Sequence, residues 1–209
     1  MTLQPQYFAE RWAGDDDPWR IAERWYERRK RDLLMAALPR ERFPRALEVG
    51  CAAGHLTWRL ALRCDALLAV DVDPRAVELT RAQVERPAGR HLGQQPAGTV
   101  VVEQRWLPQD WPAGDLDLVV LSEVGYYLGA DDLAELVGLV VESLDDDGVV
   151  LACHWRHEAP GYPGDAAGVH AAIAAAGLSQ VVHHEEPDLL LDVWTRGEPS
   201  VARAEGWLG

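Results

Sequence analysis

Apolar residues return along this chain in two rhythms, one helical and one strand-like. Asp17-Pro18 pairs a capping aspartate with a proline pre-set for a first helical turn. Apolar or aromatic positions then recur at Trp19, Ala22, Trp25, Tyr26, Leu33, Leu34, Ala37 and Leu38 until Pro39. That spacing predicts one N-terminal helix. Beyond it the pattern predicts strands at 45–49, 67–71, 100–104 and 117–121, with helices at 55–62, 74–84 and 130–143. An acidic turn, Asp145-Asp146-Asp147-Gly148, leads to a strand at 149–154, and a helix at 169–176 precedes strands at 181–186 and 189–195. Residues 86–98, rich in Pro and Gly, read as an exposed loop. Strand 117–121 is apolar on both faces, as a buried parallel strand requires. Five β/α units and a closing hairpin predict a Rossmann-like α/β fold: a seven-stranded, mostly parallel sheet with an antiparallel C-terminal edge strand. Residues 1–40 read as a helical cap and 41–209 as the Rossmann-like domain.

The 209 residues suit one domain, and a formal charge of −14 repels phosphate backbones. Nucleic acid is therefore not expected as a partner. The cluster Arg24, Arg28, Arg29, Lys30 and Arg31 reads as a solvated helix face, with Glu27 placed to pair with Arg31. Cys51, Cys64 and Cys153 show no metal-ligand or disulfide spacing, so no metal is expected and a reducing cytoplasm is. No stretch reads as a signal peptide or a membrane span.

In open α/β sheets ligands sit beyond the carboxyl ends of the strands. The first strand ends in Glu48-Val49-Gly50-Cys51-Ala52-Ala53-Gly54. Gly50 and Gly54 allow close backbone approach, but the spacing is G-x-x-x-G rather than a pyrophosphate-binding G-x-G-x-x-G. Glu48 suits a ligand carrying ammonium and sulfonium charge. Asp71, ending the second strand, can accept both hydroxyls of a ribose, while Asp73-Pro74 reads as a helix cap.

Together Glu48-Val49-Gly50-x-x-x-Gly54, Asp71 and the strand Asp117-Leu118-Val119-Val120 resemble class I S-adenosylmethionine-dependent methyltransferases. A closer resemblance, to the nodulation protein S-like methyltransferases, rests on three further places. They are Asp17-Pro18-Trp19 with Tyr26-Glu27, the run from Leu121 to Leu128, and His154-Trp155-Arg156. The resemblance implies S-adenosyl-L-methionine as cofactor and N-methylation of a small-molecule acceptor, the free amine of a deacetylated amino sugar or oligosaccharide. It extends the cofactor contacts to Trp19, Tyr26, Cys51, Ala52, Val72, Arg105, Leu107 and Ser122. One departure stands out. The family usually carries an acid after the third strand, near adenine, where this chain reads Gln104-Arg105-Trp106-Leu107. Trp106 is expected to stack on adenine, with Asp110 a candidate substitute for the acid.

Methyl transfer from a sulfonium is an in-line displacement, so alignment dominates. A base assists an amine nucleophile. Glu123, just past the fourth strand, and His154, ending the fifth, are the candidates, with structural roles for both left open. Tyr126, Tyr127 and Trp155, with Trp19, are expected to enclose the acceptor, since aromatic faces attract cationic centres. Two enzyme readings share this fold, methylation at nitrogen or at oxygen or sulfur. A non-catalytic adenosylmethionine-binding module and an NAD-dependent dehydrogenase are rivals of other classes, the latter disfavoured by the glycine spacing and Glu48.

Overall fold

The computed structural model describes residues 1–85, 98–198 and 200–208; the expected loop at 86–98 lies almost wholly outside the described residues. Chain order is α1 (Pro5–Trp12), α2 (Trp25–Ala37), β1 (Phe43–Val49), α3 (Thr57–Ala61), β2 (Cys64–Asp71), α4 (Pro74–Val84), β3 (Thr99–Gln104) and β4 (Leu116–Ser122). A 3₁₀ turn (Gly125–Tyr127), α5 (Ala130–Ser143), β5 (Leu144–Trp155), α6 (Ala166–Ala174), β6 (Ser179–Glu185), β7 (Leu189–Thr195) and α7 (Val201–Ala204) follow. The seven strands lie in the order β3-β2-β1-β4-β5-β7-β6. This order is the seven-stranded arrangement that the resemblance implies. The closing hairpin occupies the predicted end of the sheet, and the reversed strand β7 lies between β5 and β6, antiparallel to both.

Strand alternation divides the core into two layers. Leu47, Val119, Leu121, Val150 and Ala152 pack with Leu136, Val140, Val169 and Ile173 of α5 and α6. Leu118, Val120, Leu151 and Cys153 face the other way, against Leu34 of α2, Leu38 just beyond its end, and Leu60 and Ala61 of α3. Strand order reverses between β1 and β4, so the chain leaves their carboxyl ends in opposite directions and opens a crevice there.

The N-terminal segment departs from the periodicity reading. Asp17 does cap, its carboxylate accepting from the N–H groups of Ile21 (2.7 Å) and Ala22 (2.9 Å). What it caps is a turn: Arg20, at φ 59°, is left-handed and stops helical propagation. The helix therefore begins at Trp25, whose side chain is exposed rather than in the core. An unforeseen helix, α1, precedes it. The basic cluster is also corrected. Lys30 and Arg31 are buried, and Glu27 pairs with Lys30 (2.9 Å) instead of Arg31.

Candidate functional site

A cavity of about 680 Å³ opens at the β1/β4 switch point, within the size range of small-ligand sites. Of the thirteen residues expected to hold the cofactor, twelve line it: Trp19, Tyr26, Glu48, Gly50, Cys51, Ala52, Asp71, Val72, Arg105, Trp106, Leu107 and Ser122. Gly54 acts from behind. A Cβ there would lie 2.9 Å from the Thr80 Cα, so glycine lets α4 pack against the loop. Gly50, at φ 75°, is needed for conformation and for space, since a Cβ would overlap the Val124 side chain.

The loop after β1 is braced by β2. Asp71 accepts from the Ala52 N–H (3.0 Å) and the Asp73 N–H (3.0 Å), which holds Ala52 at φ 49°. Burial raises the Asp71 pKa to about 6. Glu48 is 2% exposed and its Oε2 has no hydrogen-bond partner among the described residues. Desolvation pushes its pKa to about 8. An orphaned, buried carboxyl group facing a cavity is a site that a cationic ligand group would complete.

Beyond β3, Trp106 lines the cavity and is 37% exposed. Asp110 does not replace the missing acid. Its carboxylate accepts from the Trp106 N–H (3.1 Å), and it is absent from the lining.

Glu123 lies at the other end of the cavity, at φ 60°, a left-handed conformation that costs a non-glycine residue about 1–3 kcal/mol. Its Oε1 pairs with Lys30 (2.7 Å); its Oε2 accepts from the Tyr126 hydroxyl and the Trp155 N–H (3.0 Å). A carboxylate offers about four acceptor positions, so roughly one remains for a ligand. Burial lowers the Lys30 pKa while Glu123 and then Glu27 raise it, and the balance lies above the ordinary lysine value. The ammonium therefore keeps its charge.

His154 does not reach the cavity. It is fully buried, with Nε2 accepting from the Gly125 N–H (3.2 Å) and Nδ1 3.0 Å from His170 Nε2. His170 Nδ1 in turn lies 2.5 Å from Asp192 Oδ2. Because the Gly125 N–H can only donate, His154 is protonated at Nδ1 and His170 at Nδ1, and each bond then finds one donor and one acceptor. Burial, then the neighbouring His170, holds the His154 pKa well below the ordinary histidine value. With both nitrogens engaged and no opening to the cavity, His154 has no free lone pair for an acceptor. It fixes the turn bearing Tyr126 and Tyr127.

Tyr126, Tyr127 and Trp155 do line the cavity. The aromatic enclosure is larger than expected: Tyr127 meets Tyr162 at 4.8 Å between ring centroids, Phe8 meets Tyr127 at 5.2 Å and Trp12 meets Trp19 at 5.4 Å. Phe8, Trp12 and Tyr162 were missed. The first two recur at helical spacing with Leu3 and Tyr7, a short apolar stripe among charges. Glu27, Lys30 and Arg31 of the lining were missed as well, because their charges read as solvent-facing.

With this geometry in place, the comparisons with known proteins decide the family. The family model for nodulation protein S (NodS) matches residues 6–184. The chain belongs to the nodulation protein S family. Nodulation protein S of Bradyrhizobium diazoefficiens is 31% identical over 178 residues, covering 79% of this chain and 75% of that protein. Its counterpart from Rhizobium tropici is 37% identical over 126 residues, 58% of this chain and 46% of the relative. For that relative and the Sinorhizobium fredii one, the match spans about half of their length. Among solved structures, the N-methyltransferase NodS of Bradyrhizobium japonicum in complex with S-adenosyl-L-homocysteine matches at TM-score 0.75 and 26% identity, covering 92% of this chain and 98% of that one. A Pseudomonas syringae protein assigned provisionally as a methyltransferase matches at TM-score 0.67 and 44% identity, covering 83% of this chain and 100% of that one.

Proposed function

We propose that this member of the family is an S-adenosylmethionine-dependent methyltransferase that methylates the amine of a small acceptor, an amino sugar being the favoured class. The residues present fit the cofactor. Glu48 is a buried carboxyl group awaiting a cation, the Gly50 backbone leaves room for close approach, and Asp71 ends β2 where a ribose would lie. When bound, the cofactor supplies a methyl group activated by the sulfonium. The chain's contribution is alignment, worth effective molarities of ~10⁵–10⁸ M where geometry is favourable.

The observation that carries the amine reading is Glu123. Lys30, the Tyr126 hydroxyl and the Trp155 N–H fix its carboxylate in one orientation on the cavity wall. Its remaining acceptor position can bind an amine N–H, turning the nitrogen lone pair toward the methyl group and receiving the proton released on transfer. Tyr126, Tyr127 and Trp155 supply flat faces against which a sugar ring packs. His154 serves at one remove, through Gly125.

The test offers deacetylated chito-oligosaccharides and other amino sugars together with labelled cofactor, and locates the methyl group by mass spectrometry. Label on nitrogen supports the reading; label on oxygen or sulfur replaces the acceptor assignment. Binding of cofactor without turnover of any amine, alcohol or thiol would favour a non-catalytic role. Glu123→Gln should lower kcat by about 10²–10⁴-fold with little change in cofactor affinity. Because that variant also breaks the pair with Lys30, it is compared with Lys30→Met, which disturbs the same pair and keeps the carboxylate. Equal kcat losses in the two would assign Glu123 to structure.

A further inference from the structure

Polar groups are unevenly spread over the wall of the cavity. Around Glu123, toward the N-terminal segment, the lining includes Leu3, Phe8, Tyr127, Leu128, Leu136 and Tyr162. The rings among them form one lobe that begins at the carboxylate. Tyr126, bonded to Glu123, meets Tyr162 at 5.4 Å between ring centroids; Tyr162 meets Tyr127 at 4.8 Å and Tyr127 meets Phe8 at 5.2 Å. Leu128 and Leu136 join this lobe to the core layer packed by α5. Its hydrogen-bonding groups are largely spent within the protein. The Tyr126 proton goes to Glu123. The hydroxyls of Tyr7, Tyr162 and Tyr127 make two bonds among themselves, Tyr7 to Tyr162 at 3.4 Å, and leave one proton to offer. The Thr2 hydroxyl, also in the lining, is held by Gly129 and Asp132. Trp155, by contrast, is 38% exposed, so the cavity meets water beside it. A ligand hydroxyl turned into the lobe loses its water and finds almost no partner, whereas one turned past Trp155 stays hydrated.

We infer that this lobe is a subsite for an apolar edge of the acceptor, so that the amino sugar serving Glu123 is a deoxygenated one. Methyl or methylene groups on that edge bury against Phe8, Tyr127 and Leu128, a gain that grows with the apolar area removed from water. The remaining hydroxyls keep to the side of Trp155. A fully hydroxylated hexosamine has no such edge, and seating its amine at Glu123 strips at least one hydroxyl of water. This inference rests on the amine reading of Glu123 and narrows the class of sugar that the reading names.

Labelled-cofactor assays read that edge directly. The probes are glucosamine and a series in which each hydroxyl other than the anomeric one is replaced in turn by hydrogen, compared at a pH where every amine is unprotonated. At least one deoxy form should exceed glucosamine in kcat/KM by about ten- to hundredfold, the discrimination an apolar pocket achieves against an added hydroxyl. The gain should lie in KM more than in kcat, because the lobe holds the sugar equally before and during transfer. Leu128→Asn keeps the side chain's size and supplies a hydrogen-bonding partner, so it should bring that preference to near unity. S-adenosylhomocysteine affinity, read by calorimetry, should stay as in wild type. Phe8→Tyr adds one hydroxyl with less disturbance and should reduce the same preference, which keeps the test open where Leu128→Asn folds poorly. Equal kcat/KM across the series, or preference for glucosamine itself, would overturn the subsite and leave N-methylation standing. A preference that survives both variants would overturn its assignment to this lobe. Label on none of the amines, with cofactor still bound, would overturn the amine reading and this inference with it.

Discussion

At the scale of single residues, position on the sheet was more readable than burial. Glu48 and Asp71 could be picked out because each ends a strand at a fixed offset from a glycine turn. Lys30 and Arg31 could not, because a charged residue on an amphipathic helix is ordinarily solvated, and only the folded cavity shows that these two are enclosed. The Glu48 environment gives a pH prediction. With its pKa raised to about 8 by desolvation, the folded, ligand-free chain favours the neutral carboxylic acid. Raising the pH from the ordinary glutamate value toward 8 therefore removes stability from the ligand-free protein. A cation placed beside Glu48 reverses the preference, so cofactor binding near neutral pH should expel a proton. Affinity should tighten between about pH 6 and 8, by at most about tenfold per unit for one proton. Calorimetry in buffers of different ionisation enthalpy counts that proton directly, and Glu48→Gln should abolish it. Asp71→Ala should weaken binding by more than tenfold, since the ribose loses a charged acceptor worth ~1.5–3 kcal/mol per bond. The same change frees the Ala52 N–H, so its thermal midpoint should drop even without ligand.

At the scale of elements, the strands were legible to within a few residues, because inward-facing runs such as Leu116–Ser122 have nowhere to go but a sheet interior. Termini were less so. β5 begins at Leu144 rather than 149, as the acidic turn continues the strand across a register shift opposite Leu116 and Leu118. Least legible was the linkage from β7 through α6 to the turn after β4. Asp192 is shared by His170, His183 (2.6 Å) and Gln180 (2.8 Å), and the chain of bonds ends on the Gly125 N–H. No sequence spacing announces a network drawn from five elements, β7, β6, α6, β5 and the 3₁₀ turn. Its function is positional, so His170→Phe should lower stability by about 1–3 kcal/mol, the cost of leaving buried partners unsatisfied. It should also raise the acceptor KM more than it weakens cofactor binding, since the turn it releases carries Tyr126 and Tyr127 and not the glycine loop. Parallel loss of both affinities would show that the network supports the whole crevice.

At the scale of the whole molecule, topology followed from the alternation of periodicities, but enclosure of the cavity did not. The strand ends provide its floor; α1 and the segment leading to α2 close one side with Phe8, Trp12, Trp19 and Ile21. Two attachments hold that side down. The Thr2 hydroxyl accepts from the Gly129 N–H (2.9 Å) and donates to Asp132 at the start of α5, and the Leu3 N–H bonds to the Tyr127 carbonyl oxygen (2.9 Å). At the other end Arg75, in the first turn of α4, makes paired bonds to Asp16 of 2.9 Å each. α1 contributes no residue to the two main layers of the core. Loosening it should therefore change ligand exchange more than folding. Thr2→Val combined with Arg75→Met should speed S-adenosylhomocysteine release several-fold or more, as read by stopped-flow tryptophan fluorescence with Trp12 and Trp19 as reporters. Association should change less, because the encounter reaches the crevice whether or not α1 is seated. Far-UV circular dichroism and the ligand-free melting temperature should stay close to wild type. An unchanged release rate would place the exit from the cavity elsewhere, beside Trp106 and Arg105, where the lining is already open to solvent.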